Sequence, residues 1–426
     1  MRLIVKGRRK YTGRFSVFCR ERSAAHAAER FRSRRRWASI ACALLAACLL
    51  LGLLPGEAGR AEAGQVLNVA LYPVVPDQTR FQQAVEAVWK ARHPEVELSF
   101  VDWNSYLQDP PEDLDVFVYD SIFLYDFLEK GCLLPLGEED IRDADDFITC
   151  ALSACRVDGT AYALPQLLCT DLLFARKDDA EVAKVENIRE LYQVIGDSAA
   201  VPVPPAEGEG LLLSMPDTMA WAFWYLEIQT DVDQDYSEWA SLPEADALDP
   251  EVMSYMQMTR DMAGDGLLSY VSPEGDAYVH GAWFAQGRGR AYIGVSEAMA
   301  DMGDAAKDMV FRRISLSDRE DVPMLYADVA SVNARISDEK KPLALELLNV
   351  ITGTEALTAA FAPGRAGQSA QYLLAARTSV YDALSENDPI YSGLKEIVSD
   401  PKCRVFIVRP SARALLAQAA SSLAQP

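Results

Sequence analysis

Two residues in this chain pair a reactive side chain with a position at the end of an element. Cys169 ends the extended run Leu164-Pro165-Gln166-Leu167-Leu168, and Glu297 follows Tyr292-Ile293-Gly294-Val295-Ser296. A free thiol titrates near ~8.5, and the thiolate is the reactive species. Nothing obviously cationic flanks Cys169 to lower that value; Lys177 is eight residues away. A carboxylate that takes the proton as the sulfur attacks is then the economical partner. Glu297 is of the right type. Its place at a helix start favours the ionised form, so burial has to raise its pKa before it can act as a base near neutrality. Each residue also has a plainer reading. A cysteine in an apolar strand is ordinarily a small buried side chain, and a glutamate at a helix start is ordinarily a surface charge.

The elements that would position these groups alternate from residue 66 onward. Val66 to Leu71 reads as a strand and Thr79 to His93 as a helix stopped by Pro94. Val96 to Val101 alternates as a strand, and Asp115 to Tyr119 reads as a buried parallel strand. Asp120-Ser121 cap a helix that runs to about Lys130. This rhythm predicts a parallel sheet with helices on both faces, whose ligands sit beyond the carboxyl ends of the strands. Tyr72, Trp103, Tyr106 and Asp120 all fall just after strand ends, which marks them as candidate cleft residues. Further along, Gly287 to Val295 reads as a turn and then a short strand, Ser296 as an N-cap, and Glu297 as the opening of a helix towards Gly303. Val201 to Gly210 reads as a surface loop.

Two extended stretches, Tyr162 to Ala175 and Pro323 to Ser331, suit crossings between lobes. Two crossings imply discontinuous lobes joined by a hinge, the plan of periplasmic solute-binding proteins. The expected fold is therefore α/β and two-lobed, of the type II periplasmic-binding-protein-like kind, with a ligand cleft between lobes. Residues 64–168 and 326–372 would form one lobe, and 169–325 with 373–426 the other.

Charge and targeting signals are concentrated at the ends of this plan. Residues 1–63 carry 14 of the 41 basic residues and 4 of the 63 acidic ones, which leaves 27 basic and 59 acidic side chains, formally −32, in 64–426. So acidic a surface repels phosphate backbones and argues against nucleic acid as a partner. The first 63 residues have a basic part, an apolar run from Trp37 to Leu54 and a small-x-small site at Ala61-Glu62-Ala63, the order of a secretory signal. An exported protein, secreted or tethered through its leader, is expected. Leu45-Ala46-Ala47-Cys48 resembles a lipoprotein box, and the apolar run of 18 is just long enough to span a bilayer uncleaved. Beyond the leader lie Cys132, Cys150, Cys155, Cys169 and Cys403, an odd number that leaves one thiol free. Cys150 and Cys155 could pair. His93 and His280 read as surface residues, and no zinc-ligand spacing occurs.

Several ordered segments then point to one family. They include Val69-Ala70-Leu71-Tyr72-Pro73, Phe100-Val101-Asp102-Trp103, Asp109-Pro110-Pro111, Asp115-Val116-Phe117-Val118 and Leu164-Pro165-Gln166 through Cys169-Thr170. Later come Gly275-Asp276-Ala277-Tyr278-Val279, Trp283-Phe284-Ala285-Gln286-Gly287, Ser296-Glu297 and Gln371-Tyr372-Leu373-Leu374. Across residues 66 to about 420 the chain resembles thiaminase I (thiamine pyridinylase). The resemblance implies a two-lobed enzyme that cleaves thiamin at its methylene bridge. The pyrimidine is carried on the cysteine and passed to a second nucleophile, an organic base or a thiol. It implies Cys169 as nucleophile, Glu297 as catalytic base, and Tyr72, Tyr106, Asp120, Tyr278, Tyr326 and Asp328 as cleft residues. No metal or cofactor is implied, and a monomer is expected. The family tends to have Tyr before the Ser-Glu pair, where this chain has Val295, and Asp171 replaces a usual Asn. The competing expectation is a non-catalytic binding protein for thiamin or a related pyrimidine in an uptake system, because fold does not fix function.

Overall fold

The computed structural model describes residues 65–423 apart from 199–201, 237, 240, 274–275, 365–366 and 410. The leader, with its lipoprotein box and cleavage site, lies outside the described residues, as does Gly275. Residues Gly64–Pro426 cluster as one unit by their contacts. Its strands, in chain order, are β1 (Val66–Ala70), β2 (Glu97–Phe100), β3 (Val116–Asp120), β4 (Arg156–Val157), β5 (Thr160–Ala161), β6 (Leu164–Cys169) and β7 (Leu172–Arg176). They continue with β8 (Glu207–Leu212), β9 (Gly289–Gly294), β10 (Met309–Arg312), β11 (Met324–Val332), β12 (Leu374–Ala375) and β13 (Arg404–Val405).

Two sheets form two lobes. The larger runs β12-β6-β11-β3-β1-β2, with β13 added on β11, and the smaller runs β10-β7-β9-β8. The larger sheet is parallel where β1 pairs with β2 and β3 and where β13 pairs with β11. β11 pairs antiparallel with both β3 and β6, so the all-parallel expectation does not hold. The reason is the path of the chain. It leaves the larger sheet at Cys169, builds the smaller sheet and its helices between Leu172 and Arg312, and returns at Met324 running against β6. Residues 373–426, expected with the second lobe, send both of their strands to the larger sheet.

Burial pattern explains the elements that hold the site. All five residues of β3 are buried, as expected of an interior strand. The helix Gln78–Arg92 buries Phe81, Ala84, Val85, Val88 and Trp89, a stripe at helical spacing. Asp77 caps it by accepting from the Arg80 N–H at 2.9 Å. The stretch read as a loop over 201–210 is partly strand, since β8 begins at Glu207. Among the described residues no single helix is long and apolar enough to cross a membrane.

The cysteines and histidines depart from expectation in two ways. Cys132, Cys150, Cys155, Cys169 and Cys403 are all free. Cys150 and Cys155 do not pair because they face different surroundings: Cys150 lies near Cys403, whereas Cys155 is fully buried near Tyr119. Neither histidine is a plain surface residue. His93 stacks on Trp89 with ring centroids 4.3 Å apart, and its Nε2 lies 3.1 Å from Glu346. His280 is 2% exposed, and burial pushes its pKa down to about 4, so it is neutral.

Candidate active site

β11 supplies Tyr326 and Asp328 two residues apart, so both face one side of the sheet. The register sets Cys169 of β6 opposite Tyr326, and Asp120 of β3 opposite Asp328. Residues directly opposite share a face. The carboxyl end of β3, the end of β6 and the start of β11 therefore present a sulfur, two carboxyls and a phenol to one space. Tyr72, two residues past β1, and Tyr106, in the loop after β2, complete that wall. The Tyr106 hydroxyl donates to Asp120 Oδ2, while the Ile122 N–H donates to Asp120 Oδ1 at 3.1 Å. Asp120 thus serves the helix start and the cleft at once.

The opposing wall comes from the smaller sheet. β9 ends at Gly294, and a tight turn, Ser296–Ala298, places Glu297 with 6% exposure. Ser296 does not cap the following helix as the sequence suggested. Its hydroxyl lies 3.3 Å from Glu297 Oε2 and donates to the carboxylate, while Val295 occupies the cap position. The helix Val279–Ala285 closes on this turn at Gly281. A Cβ at Gly281 would stand 2.9 Å from the Ala298 Cβ and 3.1 Å from the Ala298 carbonyl oxygen. Only glycine permits that approach, which brings Tyr278, at the helix start, beside Glu297.

All eight residues the family resemblance named line one cavity of about 380 Å³; Trp103, marked by its position after a strand, does not, because its ring packs in the core against Phe117 and Phe127. Its electrostatics follow from burial among acids. Burial pushes the Cys169 thiol well above the usual thiol range, and Glu297, Asp171, Asp328 and Glu227 push it further. Burial raises Glu297 to about 7, against the pull of its own backbone N–H and the Ser296 hydroxyl. Desolvation thus outweighs the helix start. Burial raises Asp120 to about 6 against the Tyr106 and Ile122 hydrogen bonds. Asp328 is raised well above the carboxylate range by burial, then by Asp120 and Glu297. The phenols of Tyr72, Tyr106, Tyr278 and Tyr326 are all raised by burial and stay protonated, so each can donate. A neutral thiol near a carboxyl poised at neutrality can exchange one proton with it during nucleophilic attack.

Other cavity residues escaped the sequence reading. Glu227 lines the cavity with Ala220 and Phe223 from the helix Thr218–Asp233, capped by Asp217 through the Met219 and Ala220 N–H groups at 3.0 Å each. The spacing 220, 223, 227 is helical, and an acid in that otherwise apolar row was the available signal. The Tyr326 hydroxyl donates to Glu227, whose carboxyl is pushed up to about 8 by burial and then by Asp171. Asp171, noted only as a departure from the family, also faces the cavity and is raised by burial to about 6. Arg313 reaches the Thr170 hydroxyl, beside Cys169, but Asp321 takes up its charge through bonds of 2.9 and 3.0 Å. Tyr292 and His280 line the cavity too.

Comparison with known proteins agrees with this geometry. A family model described as the thiaminase-1 domain matches residues 170–317. The chain is 45% identical to a Thiaminase-1 of Paenibacillus thiaminolyticus over 380 residues, covering 88% of this chain and 92% of the relative. Among solved structures it matches Clostridium botulinum thiaminase I in complex with thiamin at 38% identity and a TM-score of 0.82, covering 84% of this chain and 99% of that one. At the level of fold alone it matches a maltose-bound MalE3 of T. maritima, with 17% identity, a TM-score of 0.59, and coverage of 85% and 95%. The two-lobed α/β architecture is thus that of periplasmic binding proteins, and the chain belongs to the thiaminase I family, an enzyme family built on that fold.

Proposed function

We propose that this chain degrades thiamin by transferring its pyrimidine half through Cys169. The observation that carries this reading is the meeting, in one cavity, of a half-buried neutral thiol with Glu297, a carboxyl raised to about 7. The sulfur proton passes to the Glu297 carboxylate as the sulfur bonds to the pyrimidine unit. The bond from the pyrimidine methylene to the thiazolium nitrogen breaks, its electron pair stays on that nitrogen, and neutral thiazole leaves. An organic base or a thiol then bonds to the pyrimidine unit, the sulfur departs with the bonding pair, and Glu297 returns the proton. The tyrosines suit flat heterocycles, and the ionised acids suit a cationic ring.

Residues 1–63 fit this role as an export leader, and the strand ends at Cys169 and near Tyr326 fit as the hinge between lobes. Incubation with thiamin and pyridine tests the reading. Release of thiazole with formation of the pyridinium adduct is expected, and a loss of at least about 10³-fold in Cys169→Ala. Intact thiamin after long incubation with the wild-type protein would leave only the binding-protein account.

A further inference from the structure

Tyr292 stands in the cavity wall with no role in the steps above. It lies on β9 opposite Phe174 of β7, and its ring is 4% exposed. The ring stacks on Phe174 at 5.2 Å and 21°, with Phe284 at 6.1 Å. Held in this way, the side chain runs along its own strand across Gly294. A Cβ added at Gly294 would stand 2.2 Å from the Tyr292 hydroxyl oxygen and 2.5 Å from Cζ. The missing side chain at 294 is therefore the space the phenol occupies. The hydroxyl is carried to the strand end where Val295 and Glu297 enter the cavity. The carboxyls of Asp171, Glu297 and Asp301 and the Cys169 thiol surround it, and burial keeps the phenol protonated. Among the described residues this hydroxyl has no hydrogen-bond partner, although it faces the same space as the nucleophile.

A fixed, protonated donor aimed into a cavity with no acceptor from the protein is suited to an acceptor on a ligand. The proposed substrate offers few. Its thiazolium ring is cationic and has no strong acceptor, and its side-chain hydroxyl sits on that same half. The pyrimidine half carries two ring nitrogens with lone pairs, and it is the half that must lie against Cys169. We infer that the Tyr292 hydroxyl donates a hydrogen bond to a pyrimidine ring nitrogen, and that Gly294 is a glycine so that this hydroxyl can reach it. The inference rests on the proposed function and adds a substrate-binding residue to it.

The test is equilibrium binding of 3-deazathiamin, whose pyrimidine is intact and whose thiazolium nitrogen is carbon. It is run beside two further analogues, each with one pyrimidine ring nitrogen replaced by CH. Wild type, Tyr292→Phe and Gly294→Ala are compared. Tyr292→Phe should bind 3-deazathiamin about ten-fold more weakly, and Gly294→Ala should shift it in the same direction by displacing the hydroxyl. One CH analogue should bind wild type and Tyr292→Phe equally, because its partner atom is already gone. An unchanged affinity in Tyr292→Phe overturns the inference, as does an equal loss for all three ligands. Should Tyr292→Phe not fold, a wild type that binds both CH analogues as tightly as the parent overturns it as well. If wild type binds none of the three and leaves thiamin intact with pyridine, the functional reading falls too. Turnover of thiamin alongside any overturning result removes the inference alone.

Discussion

Asp120 and Asp328 stand directly opposite each other on adjacent antiparallel strands, and both face the cavity that holds Cys169. Their environments separate them. Asp120 has the Tyr106 hydroxyl and a backbone N–H to stabilise its charge, whereas Asp328 has only the Tyr72 hydroxyl to pull it down and is raised by burial, then by Asp120 and Glu297. Of the two, Asp120 is the one whose surroundings favour the charge and Asp328 the one whose surroundings favour the proton. Asp328→Asn, close in shape to the neutral acid, should change KM for thiamin by no more than about three-fold. Asp120→Asn removes the charge and replaces one of the two oxygens that accept from Tyr106 and Ile122 with an NH2 group; a charge-assisted hydrogen bond is worth about 1.5–3 kcal/mol. The substitution should raise KM roughly ten-fold or more. Steady-state kinetics of both variants at pH 7 decide the point, and a reversed order contradicts the assignment.

Glu297 sets the pH dependence. A base must be ionised to accept the sulfur proton, and burial raises this one to about 7. The value of kcat/KM should therefore rise with pH through about 7 and flatten above it. Cys169 does not set this limb, because its thiol is pushed far above the range. Glu297→Gln should abolish the rise together with most of the activity. A wild-type profile that climbs instead only above pH 8 would point to the thiol as the controlling group.

Gly281 is predicted to matter more to rate than to folding. Its missing Cβ lets the helix Val279–Ala285 touch the turn that carries Glu297. Gly281→Ala forces that turn outward by a few tenths of an ångström or more. Misplacement on the ångström scale can cost about 10²-fold in rate. A fall in kcat of about ten-fold or more, with a thermal midpoint within a few degrees of wild type, is expected. An unchanged kcat would show that Glu297 does not depend on this packing.

Much of the site was legible because it lies where strands end. Tyr72, Tyr106 and Asp120 were marked by position, and Cys169 and Glu297 by side-chain type at an element boundary. What the sequence hid is what long-range register decides. The antiparallel placement of β11, which sets Tyr326 against Cys169 and Asp328 against Asp120, has no local signature. Glu227 sits on a helix nearly 60 residues past Cys169 and faces the cavity only because the lobes meet. His280 resembled a surface residue because a single histidine gives no periodic cue, yet its helix packs tightly at Gly281. Ser296 resembled an N-cap, but its hydroxyl turns to the neighbouring carboxylate.

The buried acids also make folding stability fall with pH. Glu297, Glu227, Asp171 and Asp120 have folded pKa values of about 7, 8, 6 and 6, all above their ordinary values. The folded state therefore binds more protons than the unfolded state between about pH 4 and 8. The stability held at low pH is lost as pH rises through those folded values. The thermal midpoint should drop from pH 5 to pH 8. Glu227→Gln, which removes the group with the highest of the four values, should flatten the drop by a few degrees. Equal slopes in the two proteins would mean that general charge repulsion, not these groups, is responsible.

The covalent step is the centre of the account and can be weighed directly. Wild-type protein is mixed with excess thiamin without added base, quenched in acid within one turnover, and its intact mass measured, followed by peptide mapping. The account predicts a gain equal to one pyrimidinylmethyl group on the peptide containing Cys169, absent from Cys169→Ala and discharged by pyridine. Thiazole released at the normal rate from a protein whose mass never changes would contradict it.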